Sequence, residues 1–171
     1  MKPIIPALLL SGLFFSACKK NMTVKNHTYG NYDQVQIRHI SLDLHVDFEK
    51  KSLSGLVTLS IENKSGASEI VLDHKNMDIT ATEVDGEKTD FSVGSFDTIL
   101  GSPLVIPIKS NSKKVTVYYR THADAEALQW LTPEQTHDKK HPFLFSQSQA
   151  ILARRDFAGI LPAFPGLSTR R

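Results

Sequence analysis

Two histidines at a metal-ligand spacing are the first residues in this sequence whose types could do chemistry. The five residues from His137 to His141 read His-Asp-Lys-Lys-His. On a helix that spacing puts two imidazoles on one face, as in the His-Glu-x-x-His zinc motif, whose glutamate is the general base. Here Asp138 replaces the glutamate, two lysines would repel a divalent cation, and Pro142 disfavours helical geometry at His141. We interpret the segment as a polar loop and predict no metal site and no cofactor in this chain.

No other residues in the sequence form a recognisable catalytic group. The single cysteine, Cys18, can make neither an intrachain disulfide nor a multi-thiolate metal site. Serines, histidines and aspartates are present, but nothing in their spacing joins a nucleophile to a base. We therefore predict no catalytic residue.

The first 17 residues have the layout of a secretory signal peptide. Lys2 is followed by an apolar stretch from Ile4 to Phe15, which is shorter than the roughly 20 residues that a membrane-spanning helix needs. A permanent transmembrane anchor is therefore the weaker interpretation.

Residues 15–18, which read Phe-Ser-Ala-Cys, resemble the bacterial lipobox. By that resemblance the chain is cleaved before Cys18, and Cys18 is lipidated. We expect export and anchoring to a bacterial cell membrane or outer membrane, with residues 18–34 as a polar tether. Ordinary cleavage nearby, with an incidental thiol, remains the alternative.

Composition limits the remaining possibilities. The chain has 171 residues, 40% of them hydrophobic, which is enough for one globular domain with a real core. Its 20 basic and 18 acidic residues leave a formal net charge of +2. That balance gives no reason to expect a nucleic acid as partner.

Alternating apolar and polar residues predict that this domain is built from short strands. The alternation runs from Ile40 to Phe48 and, after a polar turn, from Leu53 to Ile61, which indicates an antiparallel hairpin. Asp85-Gly86 marks a second hairpin turn. Further short strands follow with few helical stretches. The predicted fold is all-β, a twisted antiparallel β-sandwich or a saddle-like sheet.

Two prolines bear on the position of one of these strands. Leu104, Ile106 and Ile108 alternate with Pro103 and Pro107. Because proline cannot donate to a hydrogen-bond ladder, we expect this strand at the edge of a sheet.

The second half of the chain resembles a known family. Residues 127–136 read ALQWLTPEQT and residues 141–151 read HPFLFSQSQAI. Both segments resemble the M1-family zinc aminopeptidases, in particular leukotriene A(4) hydrolase and its bacterial aminopeptidase relatives. The resemblance covers about residues 35–154, and the Gln-Trp-Leu-Thr-Pro and Phe-Ser-Gln-Ser-Gln motifs are its specific part.

The resemblance implies an aminopeptidase N-like amino-terminal β-domain over residues 35–154. In the family this domain precedes a zinc-holding catalytic domain and a helical domain. The Ser-Gln-x-Gln stretch reaches the active site there, so Gln147 and Gln149 are implied to bind the amino end of a peptide substrate. Amide oxygens suit that role because they accept hydrogen bonds from an ammonium. Without the resemblance, both glutamines would be ordinary loop residues.

The expected function is therefore that of the substrate-loop-bearing β-domain of a zinc metallo-aminopeptidase. This chain contains neither His-Glu-x-x-His nor the family's Gly-x-Met-Glu-Asn loop, so we expect it to be inactive alone. A separate catalytic chain is one conceivable source of the missing part. Residues 155–171 do not resemble the family, and we interpret them as a foreign tail from a frameshift or truncation. The alternative function is a stand-alone, lipid-anchored β-sandwich that binds peptides or a partner protein.

Overall fold

The computed structural model describes residues 28–146. Cys18, Gln147 and Gln149, the three residues predicted to be modified or to bind substrate, lie outside that part. Within it the strands are β1 (Val35–Asp47), β2 (Ser52–Asn63), β3 (Glu69–His74), β4 (Met77–Val84), β5 (Glu87–Thr89), β6 (Ser92–Val93), β7 (Ser102–Pro107), β8 (Lys114–Thr121), β9 (Leu128–Leu131) and β10 (Phe143–Ser146). A short 3-10 helix, Pro133–Gln135, lies between β9 and β10.

The largest sheet has five antiparallel strands in the order β1-β2-β8-β4-β5. Its first two strands form the predicted hairpin, with Ile40 opposite Leu59 and Val46 opposite Leu53. A register shift between Ile37 and His39 interrupts the pairing. This bulge keeps the apolar residues of β1 on one face although their parity changes from odd to even positions.

The second predicted hairpin is also present, as β4 and β5. Asp85 and Gly86 both have positive φ, 54° and 89°, as a two-residue hairpin turn requires. The Asp85 carboxylate accepts hydrogen bonds from the backbone N–H groups of Lys113 (2.9 Å) and Lys114 (2.8 Å). The Lys113 bond is the main cause that lowers the pKa of Asp85. The turn is thereby fixed to the start of β8.

The position predicted for β7 was wrong, because β7 is the central strand of a three-stranded sheet in the order β3-β7-β6. The carbonyl of Pro103 accepts from the N–H of Gly94 on the β6 side, whereas the N–H of Ile108 points to Ser68 on the β3 side. The backbone nitrogens of both prolines therefore point to the β6 side of the strand. On that side, β6 pairs only with Leu104 and Val105. Proline is tolerated in this central strand because the β6 ladder ends beside Pro103 and does not reach Pro107.

The hydrophobic core lies between these two sheets. Its buried side chains come from both, and they are Val35, Ile37, Val57, Leu59, Ile61, Ile70, Leu72, Met77, Leu104, Ile106, Ile108, Val115, Val117 and Tyr119. Burial raises the pKa of Tyr119 to about 12. The all-β antiparallel fold class predicted from the alternation is confirmed.

The first described residues of the chain are held to β3 by a buried carboxylate. Asp73 accepts hydrogen bonds from the Thr28 hydroxyl (2.5 Å) and from the Tyr29 N–H (2.8 Å). Asn31 adds bonds to the backbone of Glu69 and Val71. Residues at the end of the segment that the sequence placed in a tether thus contact β3 directly.

None of the helices in residues 28–146 has the length and apolar character needed to cross a membrane.

Candidate functional site

The β9–β10 hairpin is the element that leads to the predicted substrate-binding residues. Its register places Phe143 opposite Leu131 and Ser146 opposite Leu128. β10 ends at Ser146, and Gln147 is the next residue of the chain. The position of the hairpin therefore determines where the predicted loop begins.

A second apolar cluster anchors this hairpin to the large sheet. Leu53, Ala125 and Leu128 are buried in it, and Trp130 and Leu144 pack against them. On the other face of β10, Phe143 is 54% and Phe145 43% exposed. Because successive side chains of a strand point to opposite faces, one face of β10 packs against the large sheet and the other is exposed to solvent.

Trp130 also contacts the tip of the first hairpin. Its ring meets that of Phe48 edge to face, with centroids 5.7 Å apart and planes at 89°. Such aromatic pairs stabilise beyond their buried area, by about 0.5–1.5 kcal/mol. Both rings border a shallow, mainly apolar groove of about 250 Å³, which Pro133 and Pro142 also line.

The loop that joins β9 to β10 is held by its own polar side chains. The side chain of Gln135 accepts a hydrogen bond from the N–H of Thr132 (2.9 Å), at the start of the 3-10 helix. The Thr136 hydroxyl lies within hydrogen-bonding distance of three oxygens, on Pro133 (2.8 Å), Asp138 (3.1 Å) and His141 (3.0 Å). These contacts join both ends of the loop.

Asp138 has a structural role in this loop. Its carboxylate accepts the N–H of Lys140 at 3.1 Å, and this bond is the main cause that lowers the pKa of Asp138. His137 and His141 are both exposed, and neither lies in a helix. The structure thus places the two histidines in the polar loop that the sequence predicted.

A metal site needs several donor side chains close together. Across residues 28–146, no three or more His, Cys, Asp or Glu side chains lie together so that they could hold a metal ion. The zinc that the resemblance implies belongs to the catalytic domain of the family, and residues 28–146 offer no donor set for it.

A polar depression on the outer face of the large sheet was not predicted from the sequence. The Tyr118 hydroxyl donates to the Glu83 carboxylate at 3.1 Å, and this bond is the main cause that raises the pKa of Tyr118. Thr58 and Thr116 lie beside them, 3.3 Å apart. The only sequence signal was the outward parity of these residues, which does not distinguish a site from a solvated face.

The chain is similar in sequence and in structure to known proteins. Residues 29–160 match the family model of the Peptidase M1 N-terminal domain. Leucine aminopeptidase 2 of Yarrowia lipolytica is 41% identical over 140 residues, which are 80% of this chain and 21% of that protein. A leukotriene A-4 hydrolase homolog of Botryotinia fuckeliana is 37% identical over 145 residues, or 80% of this chain and 22% of that protein.

Solved structures give the same result. Yeast LTA4 hydrolase in complex with bestatin superposes with a TM-score of 0.71 at 34% identity, over 81% of this chain and 23% of that one. The chain spans about a fifth of the length of the relatives that it matches. The resemblance inferred from the two motifs is confirmed, and the chain belongs to the Peptidase M1 N-terminal domain family.

Proposed function

We propose that this chain serves as the amino-terminal β-domain of an M1 aminopeptidase, in which its β9–β10 hairpin presents Gln147 and Gln149 to the amino end of a peptide substrate. One observation carries the proposal. The hairpin is anchored on the large sheet by its own apolar cluster, and its second strand ends one residue before Gln147. Binding groups that follow a rigid element are held more precisely than groups in the middle of a long loop.

The chemistry of the glutamines fits this role. A peptide substrate offers a free ammonium group, which can only donate hydrogen bonds, and the Gln149 carbonyl oxygen is an acceptor. Hydrogen bonds to charged groups contribute about 1.5–3 kcal/mol. Gln149 would orient the substrate, while the zinc-holding groups and the general base would come from polypeptide outside these 171 residues.

A chimera tests the role of Gln149. Residues 29–160 replace the matching domain of the Yarrowia leucine aminopeptidase 2, and peptide hydrolysis is measured. We expect Gln149→Ala to raise KM about tenfold, the effect of losing about 1.4 kcal/mol of binding. Gln149→Glu should largely retain substrate binding, because a carboxylate also accepts from an ammonium.

Gln129 provides the matched control, because it is an exposed glutamine on β9. Gln129→Ala should leave KM unchanged. An unchanged KM in the Gln149→Ala chimera would contradict the proposed substrate contact. A chimera that is inactive from the start would contradict the proposal that these residues serve beside an M1 catalytic domain.

We also propose that Cys18 is acylated and that the chain is exported and lipid-anchored. The support is the sequence Phe-Ser-Ala-Cys at the end of an apolar stretch. Two or more acyl chains would anchor firmly, at about 0.8 kcal/mol per buried methylene. In a bacterial host fed labelled palmitate, the chain should carry label and Cys18→Ser should not. Label on the serine variant, or none on the unaltered chain, would contradict lipidation.

A further inference from the structure

The outer edge of β1 is the feature that neither the core nor the proposed function uses. β1 is the end strand of the five-stranded sheet, and within residues 28–146 only β2 pairs with it. A long edge strand presents a row of unpaired N–H and C=O groups that can pair with another strand. At 13 residues, β1 is long for an edge strand.

The inner face of this edge is also apolar. Leu42, Val46 and Phe48 are 38%, 37% and 39% exposed, although they continue the apolar row whose members Ile40 and Leu44 pack against the core. The apolar row of the core therefore extends to the edge of the sheet, where its side chains are partly exposed to solvent. A strand added at this edge would bury these side chains.

Asp43 and His45, on the outer face of β1, have no partner among residues 28–146, whereas other charges of this strand are paired. Arg38 forms an ion pair with Glu62, and Asp47 forms one with Lys50 at 3.1 Å. Asp43 and His45 have no charged neighbour across the hairpin, because they lie opposite Leu56 and Ser54. Among the described residues their side chains make no hydrogen bond or ion pair.

Antiparallel pairing of β1 with a second β1 would give these two side chains a partner in one register, because an imidazole N–H can donate to a carboxylate. If the two-fold axis passes at Leu44, Asp43 lies opposite His45 of the second copy. In that register Leu42 lies opposite Val46 and Ser41 opposite Asp47, and all four residues belong to β1.

The neighbouring registers are less favourable. An axis at Asp43 places that carboxylate opposite its own copy, and an axis at His45 places Asp43 opposite Asp47. Like charges directly opposite each other destabilise a strand pair. Registers centred between two residues put apolar side chains opposite polar ones, because the side-chain period is two.

We propose that two copies of this chain associate through β1, antiparallel about a two-fold axis at Leu44, so that their two five-stranded sheets become one continuous sheet. The interface is isologous, since each copy contributes the same strand and the same charges. Asp43 and His45 fix the register, and the open apolar row supplies the buried surface.

Charged substitutions at positions 43 and 45 test the register. Sedimentation equilibrium of the 171-residue chain in density-matched detergent should show a dimer. Asp43→Lys and His45→Glu should each weaken it at least about tenfold, which corresponds to 1.4 kcal/mol. The double variant, with Asp43→Lys and His45→Glu in one chain, should dimerise again, because a lysine then lies opposite a glutamate of the second copy. Asp90→Lys, an exposed charge reversal elsewhere, is the matched control and should have no effect.

A cysteine scan tests the axis independently. In a Cys18→Ser background the introduced thiol is the only one in the chain. Leu44→Cys should oxidise to a covalent dimer, because residues at the axis come within the roughly 4.4–6.8 Å that a disulfide spans between Cα atoms. Leu42→Cys should not, since Leu42 faces Val46 of the second copy.

Three results would overturn the proposal. They are a monomer at all concentrations, a dimer whose affinity the charged substitutions leave unchanged, and covalent dimers that form as readily through position 42 as through position 44. A monomer would mean that this edge is reserved for another partner or for further polypeptide.

Discussion

At the scale of single residues, the least expected feature is the run of buried polar side chains at the end of β3. Asp73 accepts a hydrogen bond from the Thr28 hydroxyl. The Lys75 ammonium donates to Glu126 (2.8 Å) and to the Thr98 carbonyl (3.1 Å). Buried charges are rare unless they are paired. Sequence alternation predicted the strand but not this burial, because the partners lie 23 to 51 residues away along the chain.

His74 in this run should make stability depend on pH. Burial is the main cause that lowers the pKa of His74 below 6.5, against the opposing effects of the Ser102 carbonyl and Asp73. The unfolded chain therefore binds a proton more readily than the folded one. The free energy of unfolding should keep its full value above pH 6.5 and fall as pH drops from there to the lowered pKa.

A substitution isolates this effect. His74→Gln does not titrate, so it should flatten the dependence of the free energy of unfolding on pH below pH 6.5. Urea denaturation at each pH measures it. His137→Gln, at an exposed position, should leave the slope unchanged. An equally steep slope in His74→Gln would assign the dependence to other groups.

At the scale of elements, the hairpins were predictable and the sheet partners were not. The β1–β2 and β4–β5 hairpins follow from local alternation and from turn residues such as Asp85-Gly86. β7 was predicted at an edge from its prolines, without knowledge of the neighbouring strand. A central position is possible because β6 is short and pairs only with Leu104 and Val105. The residues of the predicted site were named from family motifs, since neither spacing nor composition marks Gln147 and Gln149.

One glycine decides how closely β1 and β2 approach. Gly55 has φ +150°, and a Cβ there would lie 2.1 Å from the backbone oxygen of Asp43. Gly55→Ala should therefore lower the free energy of unfolding by at least about 1 kcal/mol, as measured by thermal or urea denaturation. Ser54→Ala, at the adjacent position, should have a much smaller effect. A Gly55→Ala variant of unaltered stability would mean that the two strands separate without cost.

At the scale of the whole molecule, two properties of residues 28–146 stand out. No metal-holding cluster is formed in residues 28–146. Large apolar side chains such as Phe96 (62% exposed) and Ile99 (64% exposed) remain on the surface.

The 171-residue chain should not hydrolyse an amino-acid amide reporter, whether or not zinc is added. The reason is that His137 and His141, the two histidines at zinc-ligand spacing, lie in an exposed loop and have no glutamate between them. Metal analysis by mass spectrometry accompanies the activity assay, and the Yarrowia relative serves as positive control. Zinc-dependent turnover that His137→Ala abolishes would contradict the proposed function of the chain.

The contact between Phe48 and Trp130 has a spectroscopic consequence. Trp130 is the one tryptophan in the sequence, and it lies where the β9–β10 hairpin meets the tip of the β1–β2 hairpin. Indole fluorescence therefore reports on this junction alone, without a label. If the hairpin that leads to Gln147 detaches from the sheet before the rest unfolds, the emission of Trp130 will change before the circular dichroism of the strands does.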